Sequence, residues 1–218
     1  KGPLGLRSYL LATEGAAEAL EAAGVVDIGD VRVNPQLVDD AYYDAELLAQ
    51  VRAARGQQDE SLPVAPHSIL RVTLELLAQL NPDAPVLVLG GDHSISRVPV
   101  EVLAPPARDP DGDLGIVHFD AHTDLLDRRD GVPHNFATWA YWANEALGRG
   151  GRLQQLGIRV SGHTAAHWKA QLEVDQFWSE QIAREPGAVL DQVVQHLEAA
   201  GVSRVYVSND IDATDPRW

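Results

Sequence analysis

Three short segments of this sequence pair histidines with aspartates at spacings that suit a divalent metal. They are Gly90-Gly91-Asp92-His93-Ser94-Ile95-Ser96, Asp120-Ala121-His122-Thr123-Asp124, and Asn209-Asp210-Ile211-Asp212-Ala213-Thr214-Asp215-Pro216. Carboxylate oxygens and imidazole nitrogens are hard-to-intermediate ligands for first-row metals. Asp120, His122 and Asp124 are spaced by two, so an extended or gently turning segment points all three the same way. Asp210 and Asp212 repeat that spacing, and His93 adds a further imidazole. Gathering Asp120, Asp124, Asp210 and Asp212 without counter-charge is costly, because like charges in a partly buried site cannot all stay ionised. Four aspartates balance two divalent cations, which favours a two-metal site over a single ion. Taken singly, each segment has a plain reading: Asp-x-Asp is usually a turn or a cap, and Gly-Gly-Asp-His is usually a loop. Their joint occurrence, each after an apolar run, is what points to a metal.

The elements that must position these residues can be read from the hydropathy pattern. Pro85–Gly90, Leu114–Phe119, Leu153–Val160 and Arg204–Ser208 are continuous apolar or β-branched runs, as in fully buried strands. Helical spacing or composition covers 12–23, 39–55, 66–80, 136–147 and 188–200, with Gly24 as a cap and Asn81-Pro82 as a stop. Val25–Val33 is a short β-branched run, and Pro105–Gly112 is a surface loop. Strands that alternate with helices imply a parallel sheet covered on both faces. We therefore expect a three-layer α/β/α fold with a mainly parallel sheet, one domain over residues 1–218. In such sheets ligands bind beyond the carboxyl ends of the strands, which is where the three segments lie.

Composition narrows the function. The 218 residues carry a net charge of −15, which leaves no basic stripe for nucleic acid. Apolar residues make up 45% of the chain, and no run approaches a membrane span. No secretory segment is recognisable and cysteine is absent, so disulfides and thiolate sites are excluded, in keeping with a cytoplasmic protein. Methionine is absent too, and the sequence stops just past an acidic cluster, so we expect a longer chain, incomplete here at both ends.

Gly90–Ser94, Asp120–Asp124 and Ser208–Asp212 followed by Asp215-Pro216 resemble the three signature motifs of the arginase/agmatinase/formimidoylglutamase (ureohydrolase) family. Gly2-Pro3-Leu4-Gly5-Leu6-Arg7 is similar to that family's early segment, so the resemblance runs the length of the chain. It implies an arginase-like fold and a hydrolase of linear amidine or guanidinium C–N bonds, arginine or a related guanidino compound giving urea and an amine. It implies two Mn²⁺ per chain, with zinc, iron and cobalt not excluded by the ligand types. His93 and Asp124 would hold one ion and His122 and Asp212 the other, with Asp120 and Asp210 bridging. Two cations ~3.5–4 Å apart activate a water for attack on the guanidinium carbon, and Asp124 would pass a proton to the leaving amine. His134 resembles the family's histidine after the second motif, a proton shuttle or substrate contact, although Asn135 stands where the family usually has glycine. A homotrimer or homohexamer is implied as well.

The remaining candidates carry less. His118 lies inside a strand and reads as structural, and His163 and His167 read as surface residues. Asp92 and Asp215 are candidates to orient ligands, with a loop cap as the equal alternative for Asp92. Arg128 and Arg129 could meet a substrate carboxylate or face solvent. The family's later Gly-Thr-x-x-Pro-Gly-Gly segment and its acidic substrate clamp are not within these 218 residues, so no clamp is assigned. The alternatives are agmatinase- or formimidoylglutamase-type activity, a metal-binding member without hydrolysis, or one-zinc amide hydrolysis of the deacetylase type.

Overall fold

The computed structural model describes residues 2–31, 33, 37–104 and 111–214. Its backbone contacts fall into two compact units, Lys1–Ile95 and Ser96–Trp218.

The first unit is helical: α1 (Gly2–Ala12), α2 (Ala16–Ala22), α3 (Ala45–Arg55) and α4 (Pro66–Leu80). The single helix expected over 12–23 is instead the end of α1 and all of α2, because Gly15 at φ 76° breaks the helical path between them. The helix expected over 39–55 starts late. Asp39 and Asp40 open a 3₁₀ turn, and Asp44 caps α3 by accepting from Leu47 N–H. α4 has the expected bounds, with Pro66 in its first turn. Asp40 accepts from the backbone N–H groups of Val64 and Ala65, seating the start of α4 over a small core of Leu37, Val64 and Ala65.

One expectation is overturned here. Pro85–Gly90 is not a strand, and Val86 and Leu87 are 49% and 81% exposed. A strand exists only through a ladder with a neighbour, and none of the described residues pairs with this run. Its apolar composition alone cannot supply that ladder. In the β-branched run Val25–Val33, Val25, Val26, Ile28 and Val33 are exposed and the described residues form no strand.

The second unit carries a wholly parallel four-stranded sheet. Its strands are β1 (Leu114–Phe119), β2 (Leu153–Ile158), β3 (Asp175–Trp178) and β4 (Arg204–Asn209), in the order β3-β2-β1-β4. The connecting helices are α5 (Arg97–Leu103), α6 (Trp139–Ala146), α7 (Ala165–Leu172), α8 (Ser179–Arg184) and α9 (Pro186–Ala199). Side-chain alternation along β1 sends Leu114 and Ile116 to one face and Val117 and Phe119 to the other. The first pair packs with Trp139, Ala140 and Ala143 of α6, Trp168 and Leu172 of α7, and Val100 of α5. The second packs with Val189, Val193 and Leu197 of α9 and Ile182 of α8. The expected parallel sheet between two helical layers is therefore present. β3, α5, α7 and α8 were not anticipated. β3 reads Asp175-Gln176-Phe177-Trp178, too short and too polar to stand out as a buried run.

No helix among the described residues is long and apolar enough to cross a membrane. The loop expected at Pro105–Gly112 lies outside the described residues from 105 to 110, as do Asp215 and Pro216. Leu153 is fully buried between β2 and α6, while Val205 on β4 is 45% exposed. Leu153→Ala should cost about 2–5 kcal/mol in urea denaturation, and Val205→Ala should stay within about 0.5 kcal/mol.

Candidate metal centre

β1 and β4 lie side by side and deliver the second and third segments to one place. The ladder continues past β4 as Asp210 N–H donates to Phe119 C=O. Asp120 follows β1 immediately and is 1% exposed. Asp210 caps a 3₁₀ turn at Ile211–Ala213 by accepting from Asp212 N–H. Asp212 reaches back across the strand gap, its Oδ1 accepting from Ala121 N–H at 3.0 Å. His122 N–H donates to Asp120 Oδ1. The His122 ring then sets its Nδ1 3.0 Å from Asp212 Oδ2 and 3.5 Å from Asp120 Oδ1. One ligand atom from each of Asp120, His122 and Asp212 falls within a 4.8 Å spread, as a single cation requires. Burial, followed by the charges of Asp120 and Asp210, raises the Asp212 carboxyl above the ordinary aspartate range, although its hydrogen bond from Ala121 N–H opposes the shift. Carboxylates that repel one another around an imidazole nitrogen fit a cation-binding site in chemistry and in geometry.

A second grouping shares Asp120. His118, Asp120 and Asp124 are all buried and place ligand-type atoms within the same 4.8 Å. Asp124 sits at φ 51°, in the left-handed region, which turns the segment after His122 back toward β1. Trp139, fully buried at the start of α6, donates its Nε1–H to Asp124 Oδ2 at 2.9 Å. Tyr141 N–H donates to Asp124 C=O. His118 Nε2 lies 2.8 Å from Asp120 Oδ2.

The other candidates are placed as follows. His93 belongs to the first unit. It is buried and opens the turn His93–Ser96, where Ser94 Oγ meets His67 Nε2 of α4 at 3.0 Å. Asp92 is exposed and caps this turn through Ser94 N–H. His134 is half-buried in the turn before α6. That turn is shaped by Asn135, whose side chain donates to Val132 C=O and accepts from Ala137 N–H. Asn135 thus contributes side-chain bonds that a glycine there would lack. Arg128 and Arg129 have side chains 59% and 49% exposed. His163 is exposed and stacks on the half-buried His167, in keeping with their surface reading.

Two supporting residues escaped the sequence reading. Gly157 interrupts the β2 register with φ 94°, and a Cβ there would lie 3.2 Å from Asp120 C=O. Glycine lets β2 approach the Asp120 backbone. Arg159 donates to the carbonyls of Asp212 and Ala213, fixing the turn that carries Asp212. A glycine and an arginine inside the run read as Leu153–Val160, in Gly157-Ile158-Arg159, were the available signal.

A family model described as the arginase family matches residues 1–218. The chain is 30% identical over 222 residues to guanidinobutyrase of Pseudomonas aeruginosa, covering 98% of this chain and 57% of that protein. It is 35% identical over 161 residues to N(1)-aminopropylagmatine ureohydrolase of Thermus thermophilus, covering 74% of this chain and 48% of that one. Arginase from Bacillus cereus superposes with a TM-score of 0.65 at 21% identity, over 99% of this chain and 70% of that structure. At that identity the likeness is one of fold. The chain spans about half the length of the relatives it matches in sequence.

Gly157→Ala should cost about 1–3 kcal/mol in chemical denaturation, since the backbone there is in a region that L-residues avoid. Asp212→Asn keeps the acceptor for Ala121 N–H and removes one of the crowded charges. It should raise the melting temperature of the metal-free protein and make that temperature less responsive to added divalent cations than the wild type's, both read by thermal scanning.

Proposed function

Because the chain belongs to the arginase family, we propose that it hydrolyses the C–N bond of a linear guanidino compound, releasing urea and an amine, with two Mn²⁺ ions as cofactors. The observation that carries this reading is the convergence of Asp120, His122 and Asp212, from two adjacent strands, on a spot that fits a cation.

In this reading Asp120 and Asp210 would be shared by the two ions, His122 and Asp212 would be further ligands of one, and His93 and Asp124 would be those of the other. His93 is assigned by its motif. When bound, the ions would supply the Lewis acidity that lets water attack an unreactive guanidinium carbon near neutral pH. The chain's own residues do the rest. Trp139 restrains Asp124 through a hydrogen bond to Oδ2, and Asp124 would pass a proton to the departing amine. His134 stands on a turn stiffened by Asn135 and takes the role of proton shuttle or substrate contact. Hydrogen bonds from the backbone of Ala121, His122 and Asp212 hold the carboxylates in place before any ion arrives, which lowers the entropic cost of binding.

Arginine or a related guanidino compound is the proposed substrate, and relatives named guanidinobutyrase and N(1)-aminopropylagmatine ureohydrolase support including guanidino groups on short aliphatic chains. Agmatine and formimidoylglutamate are the neighbouring choices. Assembly as a trimer or hexamer, and a cytoplasmic location, belong to the same reading.

The test is urea and formamide release by the Mn²⁺-loaded protein from guanidinobutyrate, aminopropylagmatine, agmatine, arginine and formimidoylglutamate. Urea from at least one guanidino substrate is expected, with a fall on the order of 100-fold or more in Asp120→Asn. Two bound ions without turnover on any substrate would instead mark a metal-binding member without hydrolase activity.

A further inference from the structure

Below the acidic cluster, one layer deeper in the sheet, a row of polar side chains crosses the face that packs on α6 and α7. In the parallel ladder Ser208 of β4 pairs with His118 of β1, His118 with Gln155 of β2, and Gln155 with Gln176 of β3. Their neighbours on this face, Leu114, Ile116 and Leu153, are apolar and buried. His118 and Gln155 are fully buried, and Ser208 is nearly so. Burying such groups in place of leucine is costly unless each hydrogen bond is made.

The bonds form a directed chain. Gln155 Nε2 lies 2.6 Å from Thr123 C=O, which can only accept, and Gln155 Oε1 lies 2.8 Å from Gln176 Nε2, which donates. The Thr123 carbonyl fixes which end of the Gln155 amide is nitrogen, and Gln155 Oε1 is then the acceptor for Gln176. The second N–H of the Gln155 amide points to His118 Nδ1 at 2.9 Å, so Nδ1 accepts. The ring proton is left on Nε2, which donates to Asp120 Oδ2 at 2.8 Å. The edge of the Trp139 indole against the ring, with centroids 4.7 Å apart, packs its position. Neither amide touches Asp120 itself, yet together they decide which nitrogen of His118 faces Asp120 as a donor.

We propose that Gln155 is a positioning residue for the metal centre. It locks His118 in the Nε2–H tautomer, and His118 in turn holds the Asp120 carboxylate through Oδ2. The same amide ties down Thr123 C=O between His122 and Asp124. The inference rests on the reading of Asp120 as a metal ligand, but its first step, the tautomer, does not need the metal. A merely structural role for the row would leave the tautomer and the affinity for metal untouched once an apolar residue of similar volume filled the space.

The experiment uses Gln155→Met, which conserves volume and removes both donors. Long-range ¹H–¹⁵N spectra of metal-free, ¹⁵N-histidine-labelled protein read the His118 tautomer, and Mn²⁺ titration calorimetry reads affinity. Wild type should show a protonated Nε2 and bare Nδ1 at His118. The variant should lose that signature and bind Mn²⁺ about 10-fold or more weakly, the usual effect of removing a partner behind a ligand. If Gln155→Met does not fold, Gln176→Leu serves with the same readouts, since it removes the donor that orients the Gln155 amide. An Nδ1–H tautomer in wild type, or an unchanged tautomer with affinity within about twofold in the folded variant, overturns the proposal. Wild-type protein that shows the expected tautomer but binds no Mn²⁺ overturns the metal reading and, with it, the role of Gln155 toward the metal, while the hydrogen-bonded chain to Asp120 stands.

Discussion

Mutual repulsion among the carboxylates of Asp120, Asp210 and Asp212 is the constraint around which the second unit is arranged. Each accepts a hydrogen bond from a main-chain N–H, of His122, Asp212 and Ala121 respectively. These dipoles orient the carboxylates without neutralising them. Arg159 stands beside the cluster, but it donates to the carbonyls of Asp212 and Ala213. Burial first, and then the charges of Asp120 and Asp210, hold the Asp212 carboxyl above the ordinary aspartate range.

The parallel sheet makes this arrangement possible. Adjacent parallel strands end on the same side, so residues that follow β1 and β4 meet although about ninety positions separate them, as Ala121 and Asp212 do. Packing on two faces keeps the strands rigid, with α6 and α7 against one and α8 and α9 against the other. The β2 bulge at Gly157 brings a third strand against the Asp120 backbone. Trp139 links the layers: it fills the core under α6, packs on His118 and donates to Asp124. Stability and site geometry share residues, so core substitutions on the α6 face reach the ligands.

Much of this was legible in the sequence. β1 was bounded correctly because its six residues form one run, buried or half-buried throughout, that ends at a charge. β2 was anticipated within two residues, although Gln154 and Gln155 sit at its centre. Asp120, His122 and Asp212 do meet at the ends of β1 and β4, but through a bend and a 3₁₀ turn rather than through the extended, period-two geometry expected of their spacing. Pro85–Gly90 failed for the opposite reason, since an apolar run has the composition of a strand whether or not a partner is present. His118 was read as structural, and its burial agrees. What it touches could not be read, because Gln155 and Trp139 reach it through strand pairing and helix packing that leave no local pattern.

The sequence by itself determined the donor types, the family and the alternation of strands and helices, because ligand chemistry and hydropathy are properties of residues and their near neighbours. Tertiary structure decided which carboxylates share a site, which glycine permits the approach, which indole fixes Asp124 and which nitrogen of His118 faces Asp120. Those are matters of distance between residues far apart in the chain, and distance is set only when the sheet closes and the side chains commit their hydrogen bonds.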